Sequence, residues 1–164
     1  MDGDTGVSSI VISAAIDVHR ELGPGLLESA YRICLLHELR SRGQRVETEV
    51  PLALTYRGTR LPCAYRLDLV VERTLILEVK AVRALEAVHA AQLLTYLRLA
   101  GQPLGLLLNF NVPILARGIR RVVHTHPGRA TCPPLSRVRS SAPSASALRA
   151  LRAPSSCPLH ASSG

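Results

Sequence analysis

The sequence predicts an α/β domain, a mixed central sheet flanked by helices, and three observations carry that expectation. Two stretches of helical apolar periodicity precede Gly43. Short strand-like stretches then follow one another up to Lys80. After a third helical stretch comes a continuous apolar run, Leu104 to Phe110, the mark of a strand covered on both faces. The order reads α–α–β–β–β–β–α–β, with a last short strand at Ile119 to Val123.

Residues 1–7 are expected to be a flexible N-terminus. The first helix starts at Ser8 or Ser9, whose hydroxyls suit an N-cap. Ile10, Ala14, Ile16, Val18 and Leu22 are its expected apolar face. It stops at Gly23-Pro24-Gly25, because glycine suits a left-handed cap and proline cannot continue the helical ladder. The second helix runs from about Leu26 to Arg42, with Leu27, Ala30, Tyr31, Cys34, Leu35 and Leu39 as its buried stripe. Glu28 lies three residues before Tyr31 and shares its face. Taken alone, Glu28 is either a first-turn acid favoured by the helix dipole or an acid aimed into a site.

Arg45 to Thr55 alternates, and Pro51 places it at an edge or a bend. Arg57-Gly58 reads as a turn, and Arg60 to Ala64 as a further short strand. The third helix spans Ala84 to Ala100, ended by Gly101 and Pro103. His89, Gln92 and Tyr96 draw a polar line along it.

The chain has 164 residues and a net charge of +8. All twelve acids lie at or before Glu86, so residues 1–123 carry +3 and residues 124–164 carry +5. The latter are rich in Arg, Ser, Pro and Ala and are expected to be a disordered basic tail. Such a tail adds nonspecific affinity for phosphate backbones or has no function. His124, His126 and His160 in it are read as incidental, and His19 as structural. The four cysteines show no pairing or metal-finger spacing, which fits a reducing, cytoplasmic setting. The acidic N-terminus does not resemble a signal peptide, and no apolar run reaches a membrane span. With five aromatics and no Trp, recognition by base stacking on an aromatic platform is disfavoured.

The chemistry concentrates in Tyr65 to Lys80, YRLDLVVERTLILEVK. The short connection Glu72-Arg73-Thr74 makes this an antiparallel hairpin. Centred on Arg73, it pairs residues whose numbers sum to about 146 by the period-2 register. Val70 then faces Ile76, Asp68 faces Glu78, and Arg66 faces Lys80, while Leu67, Leu69 and Val71 share the other face. Two carboxylates directly opposite one another repel, and a divalent cation offsets that repulsion. Mg²⁺ takes one or two carboxylates plus waters and substrate phosphate, and the backbone carbonyl of Val79 adds a candidate ligand. A bound metal would activate water and polarise a phosphoryl group. Lys80 shares the carboxylates' face and is the one lysine among 20 basic residues. A compact ammonium is not replaced by the guanidinium that the composition otherwise favours. The competing interpretation is a solvated charged face with an ordinary surface ion pair. Val70 and Ile76 on the same face argue against it.

Asp68, Glu78 and Lys80 in the spacing D-(x)9-E-x-K resemble the signature of the PD-(D/E)XK nuclease superfamily. Gly25, Glu28 and Tyr31 resemble the motif of its GxxExxY family. VHRELGPGLLESAY, YRLDLVV, LEVKAV, HAAQLLTYLRL and GLLLNFNVP resemble that family's blocks in order, over residues 8–123. The motif's leading proline is replaced by Leu67. The resemblance implies a restriction-endonuclease-like αβββαβ core and a metal-dependent nuclease acting on nucleic acid, with DNA favoured. It implies Mg²⁺ or Mn²⁺ on Asp68, Glu78 and the Val79 carbonyl, with Glu28 as a further candidate. It also implies that Gln92 orients Lys80 or a phosphate oxygen. The alternatives are a non-cleaving nucleic-acid-binding module and an accessory subunit of a larger complex. A homodimer or larger assembly stays open.

Overall fold

Five strands form one sheet in the order β1-β2-β3-β4-β5, antiparallel except for the central β3–β4 pair. The computed structural model describes residues 5–125, without the side chains of residues 5 and 62–64. Along the chain stand α1 (Thr5–Leu22), α2 (Glu28–Ser41), β1 (Val46–Tyr56), β2 (Thr59–Val71), β3 (Leu75–Lys80), α3 (Ala87–Ala100), β4 (Leu104–Asn109) and β5 (Ile119–Val123). The succession α2-β1-β2-β3-α3-β4 is the expected αβββαβ core. The parallel β3–β4 pair requires a crossover, which α3 supplies. No helix among the described residues is long and apolar enough to cross a membrane.

Two apolar layers cover the sheet. Leu69, Val71, Leu75, Leu77 and Val79 face α1 and α2, which contribute Val11, Ala14, Ala15, Val18, Tyr31, Leu35 and Leu39. Val70, Ile76 and Leu107 face Leu93, Tyr96 and Leu97 of α3. β3 and β4 are covered on both sides, which explains their near-continuous apolar sequences. Burying a leucine fully contributes about 1.5–3 kcal/mol, so these central strands anchor whatever sits at their ends.

Several expectations are corrected. α1 begins at Thr5, and its buried stripe is Val11, Ala14, Ala15 and Val18, at i, i+3, i+4 and i+7. Ile10 and Ile16 are half-buried and Leu22 is exposed. Leu27 is no part of the α2 stripe. It is the N-cap position and stands 77% exposed. The two short strands expected across Arg60 to Val71 are one strand, β2. Pro51 does lie on an edge strand, since β1 pairs with β2 alone. The chain is described through Thr125, and the rest of the expected tail lies outside the described residues, as do residues 1–4.

The hairpin register is the expected one where it forms: Leu69 pairs with Leu77, Val70 with Ile76 and Val71 with Leu75. It ends there, so neither of the expected pairs beyond it forms: Asp68 is not paired with Glu78, nor Arg66 with Lys80. Arg66 instead pairs with Pro51 of β1. Leu67 also leaves the face of Leu69 and Val71 and joins the α3 layer. The cause is a local irregularity. Glu49 takes a left-handed φ of +50°, and neither Glu49 nor Asp68 belongs to the β1–β2 ladder that continues on both sides of them.

Candidate active site

The point where β2 parts from β3 is where the charged residues gather. Val79 points its N–H and C=O towards β2, and continued pairing would set Leu67 opposite it. Asp68 takes that place with its side chain: its Oδ2 accepts the Val79 N–H at 2.9 Å. The Val79 carbonyl lies on the same edge of β3, because both polar groups of a strand residue point the same way. Asp68 is thereby fixed at the open end of the sheet rather than on a solvated face.

Glu78 and Lys80 follow on the α3 side of β3. The Lys80 ammonium donates to Glu78 Oε1 at 2.7 Å and lies 3.8 Å from Glu28 Oε1. The Glu78 side chain is 4% exposed, and its Oε2 is buried with no hydrogen-bond partner. Burial, reinforced by the Asp68 and Glu28 charges, pushes the Glu78 carboxyl up to about 7 against the pull of Lys80. Burial draws Lys80 down, but its hydrogen bond to Glu78 and the surrounding acids together hold it above the usual lysine value.

Glu28 reaches this end through the motif around it. Gly25 adopts φ +107°, which favours glycine. The Tyr31 hydroxyl donates to the Gly23 carbonyl at 2.6 Å and accepts the Leu26 N–H at 3.1 Å. Its ring stacks on Phe110 at 4.5 Å between centroids. The spacing G-x-x-E-x-x-Y is therefore a clamped helix entry: Tyr31 fixes the loop, and Glu28 in the first turn of α2 faces Lys80.

A sequence model of the PD-(D/E)XK nuclease superfamily matches residues 5–122. The chain belongs to that superfamily. No curated protein and no solved structure matches it. The chain's own Asp68, Glu78 and Lys80, the last two separated by Val79, gather where β2 leaves β3.

The remaining residues of interest to a PD-(D/E)XK nuclease divide. Gln92 does not point its amide at Lys80. Its Nε2 donates to the Tyr96 hydroxyl one helical turn on. Tyr96 is buried, and burial together with the Glu78 and Asp68 charges raises its phenol above the usual value. The Gln92–Tyr96 pair thus lies within electrostatic reach of the site. His89 accepts the Glu86 N–H as half of a capping box at the start of α3, and His19 is bonded to the Val112 carbonyl. Both have structural partners.

Two site neighbours escaped the sequence reading. Arg32 Nη1 lies 3.4 Å from Asp68 Oδ1 and 3.5 Å from Glu49 Oε1. Its position four residues after Glu28, on the same helix face, is the signal that could have found it. Asn109, opposite Lys80 in the parallel register, is buried and ties down the loop after β3 through bonds to both the N–H and the C=O of Val82.

A divalent cation fits these residues. Glu78 Oε2 is a buried oxygen lacking any donor, and the Asp68 carboxylate, held on the Val79 N–H, is close enough for its charge to act on Glu78. Among the described residues no group of three His, Cys, Asp or Glu side chains could hold a metal. Glu28 accordingly sits against Lys80 and does not complete a three-carboxylate group. Mg²⁺ needs no such group, because it commonly keeps several waters and uses one or two carboxylates plus phosphate oxygens.

Proposed function

We propose that this chain is a metal-dependent nuclease that hydrolyses phosphodiester bonds of DNA at the end of β3. The observation that carries this is the orphaned Oε2 of Glu78 beside Asp68, with Lys80 held between two carboxylates. Asp68 and Glu78 hold Mg²⁺ or Mn²⁺, helped by the Val79 carbonyl. Bound there, the cation supplies Lewis-acid activation of water and of the phosphoryl group. The chain's own residues then have distinct tasks. Glu78 must ionise to bind metal, and a bound cation would give its unpartnered Oε2 a ligand to hold. Lys80 carries a fixed positive charge to the place where negative charge grows on the phosphate. Glu28 draws the ammonium out of line with Glu78 alone and so positions it. Gln92, anchored on Tyr96, offers its second amide N–H to a phosphate oxygen.

The finer assignment to the GxxExxY family is supported by Gly25, Glu28 and Tyr31, each with a physical reason for its place. A reducing, cytoplasmic setting is part of the same reading, supported by the free thiol of Cys34. The test is cleavage of linear, circular and single-stranded DNA with Mg²⁺, Mn²⁺ or EDTA, by the wild type, Asp68→Ala and Lys80→Ala. Metal-dependent cleavage lost in both variants is expected. Cleavage that survives EDTA or both substitutions refutes the mechanism, and tight binding without any cleavage favours a non-cleaving module.

A further inference from the structure

β1 and β2 are much longer than the sheet needs. Only Leu69, Val70 and Val71 of β2 pair with β3. From Leu67 outward β2 pairs with β1 alone, so residues 50–67 form a two-stranded ribbon that starts at the candidate site. From Asp68 to Gly58 the ribbon is up to about 30 Å long, at about 3.3 Å per residue. Its base is packed: Val50, Leu52 and Leu67 are buried with Leu93 and Leu97, and the Tyr65 ring lies 5.5 Å from that of Tyr96. Its tip is not. Residues 56–61 are all exposed, Tyr56 by 58% and Leu61 by 42%.

The ribbon is also chemically one-sided. Residues 50–67 hold Arg57, Arg60 and Arg66 and no acid. Arg66 is near Glu49 at 3.6 Å, and the Arg57 guanidinium lies over the Tyr56 ring at 5.4 Å. The turn itself breaks a local rule. Arg57 and Gly58 have φ of +49° and +79°, a two-residue turn of the type that favours Asn, Asp or Gly in both places. Arg73 in the β2–β3 turn shares that conformation at φ +59°, but its guanidinium is bonded to Glu47, whereas the ribbon carries no acid to pair with Arg57 at its exposed tip.

We propose that this ribbon is a duplex-DNA-binding arm, with Arg57 and Arg60 set against backbone phosphates while Asp68 at its base faces the scissile strand. The major groove of B-form DNA, about 12 Å wide, admits a two-stranded ribbon, whereas the deep and narrow one of A-form RNA does not. The ribbon's reach is about one turn of duplex. This inference rests on the nuclease reading for its choice of ligand, and its test is independent of cleavage.

The test is anisotropy of a labelled DNA duplex of about two turns, in EDTA, across a salt series. Arg57→Asn and Arg60→Gln are each expected to weaken binding roughly 3–10-fold near 0.1 M salt. Their combination should flatten the slope of log K against log salt by about 1.8, at about 0.9 per lost phosphate contact. Arg57→Asn relaxes the turn, so its melting temperature should hold or rise while its affinity falls, a pair of signs that a structural role does not give. A shortened arm, with residues 55–60 replaced by Asn-Gly, should bind as weakly as the double variant. Unchanged affinity and slope, a loss that only tracks a fall in melting temperature, or a wild type that binds no duplex overturns the arm. If duplex binding behaves as expected and no substrate is ever cut, the nuclease reading fails and the arm stands.

Discussion

Replacing Glu78 with glutamine should make the metal-free protein more stable, although it alters the centre of the candidate site. The Glu78 carboxyl is held at about 7, against 4.5 for an ordinary one, because burial and the Asp68 and Glu28 charges outweigh the help from Lys80. At about 1.4 kcal/mol per tenfold change, ionising it in the fold costs about 3 kcal/mol. The sign follows from linkage. A carboxyl raised in the folded state contributes stability that is full below about 4.5 and lost as the pH rises through about 7. Glutamine mimics the protonated form at every pH. In EDTA, Glu78→Gln should therefore melt roughly 10 °C higher than wild type at pH 8.5, and within about 1 kcal/mol of it at pH 5. The assay is thermal unfolding by circular dichroism at the two pH values. With saturating Mg²⁺ the order should invert at pH 8.5, since only the wild type binds the metal well. If Glu78→Gln is less stable than wild type at pH 8.5 in EDTA, or the difference ignores pH, the buried Glu78 carboxylate is not the centre of the site.

Metal affinity should fall as pH drops below 7, by up to about tenfold per pH unit, as protons compete for Glu78, and calorimetric titration with Mn²⁺ between pH 6 and 8 reads this directly. Tyr31→Phe removes the hydroxyl that joins the Gly23 carbonyl to the Leu26 N–H but keeps the stack on Phe110, so a loss of about 1–3 kcal/mol in urea denaturation is expected, and no loss would mean that the loop is not clamped. Gly118→Ala places a Cβ on the backbone carbonyl oxygen of Asn109, and since backbone cannot step aside cheaply the urea midpoint should fall by an equivalent of about 2 kcal/mol or more.

The hairpin was legible because its loop is short and its period is two, and the pairs around Val70 and Ile76 fall in the expected register. β4 was legible because a strand covered on both faces is apolar nearly throughout, its one polar side chain, Asn109, being bonded to the Val82 backbone. What escaped has a physical reason in each case. α1 is apolar on several sides, with Val7, Ile10, Ile12 and Ile16 flanking the true stripe, so periodicity alone selects the wrong one. Alternation puts Leu67 on the wrong face because it assumes an unbroken ladder, and the break at Glu49 and Asp68 involves a left-handed backbone that spacing does not encode. Asp68 and Glu78 lie just past the last β2–β3 pair, and the distinguishing feature is burial. Glu78 is nearly sealed while Asp68 is held by the Val79 N–H and Arg32, an asymmetry that no spacing encodes. The i, i+4 spacing of Gln92 and Tyr96 puts them on one helix face, and the bond between them is visible only in the coordinates.

The central claim, a divalent-metal centre built from Asp68 and Glu78, is tested most directly by crystals soaked in Mn²⁺ and measured for anomalous scattering. A single strong peak touching the carboxylates of Asp68 and Glu78, lost in Glu78→Gln, is the predicted result. Ordered crystals at pH 8 with saturating Mn²⁺ and no peak there, or a peak that persists in Glu78→Gln, would contradict it.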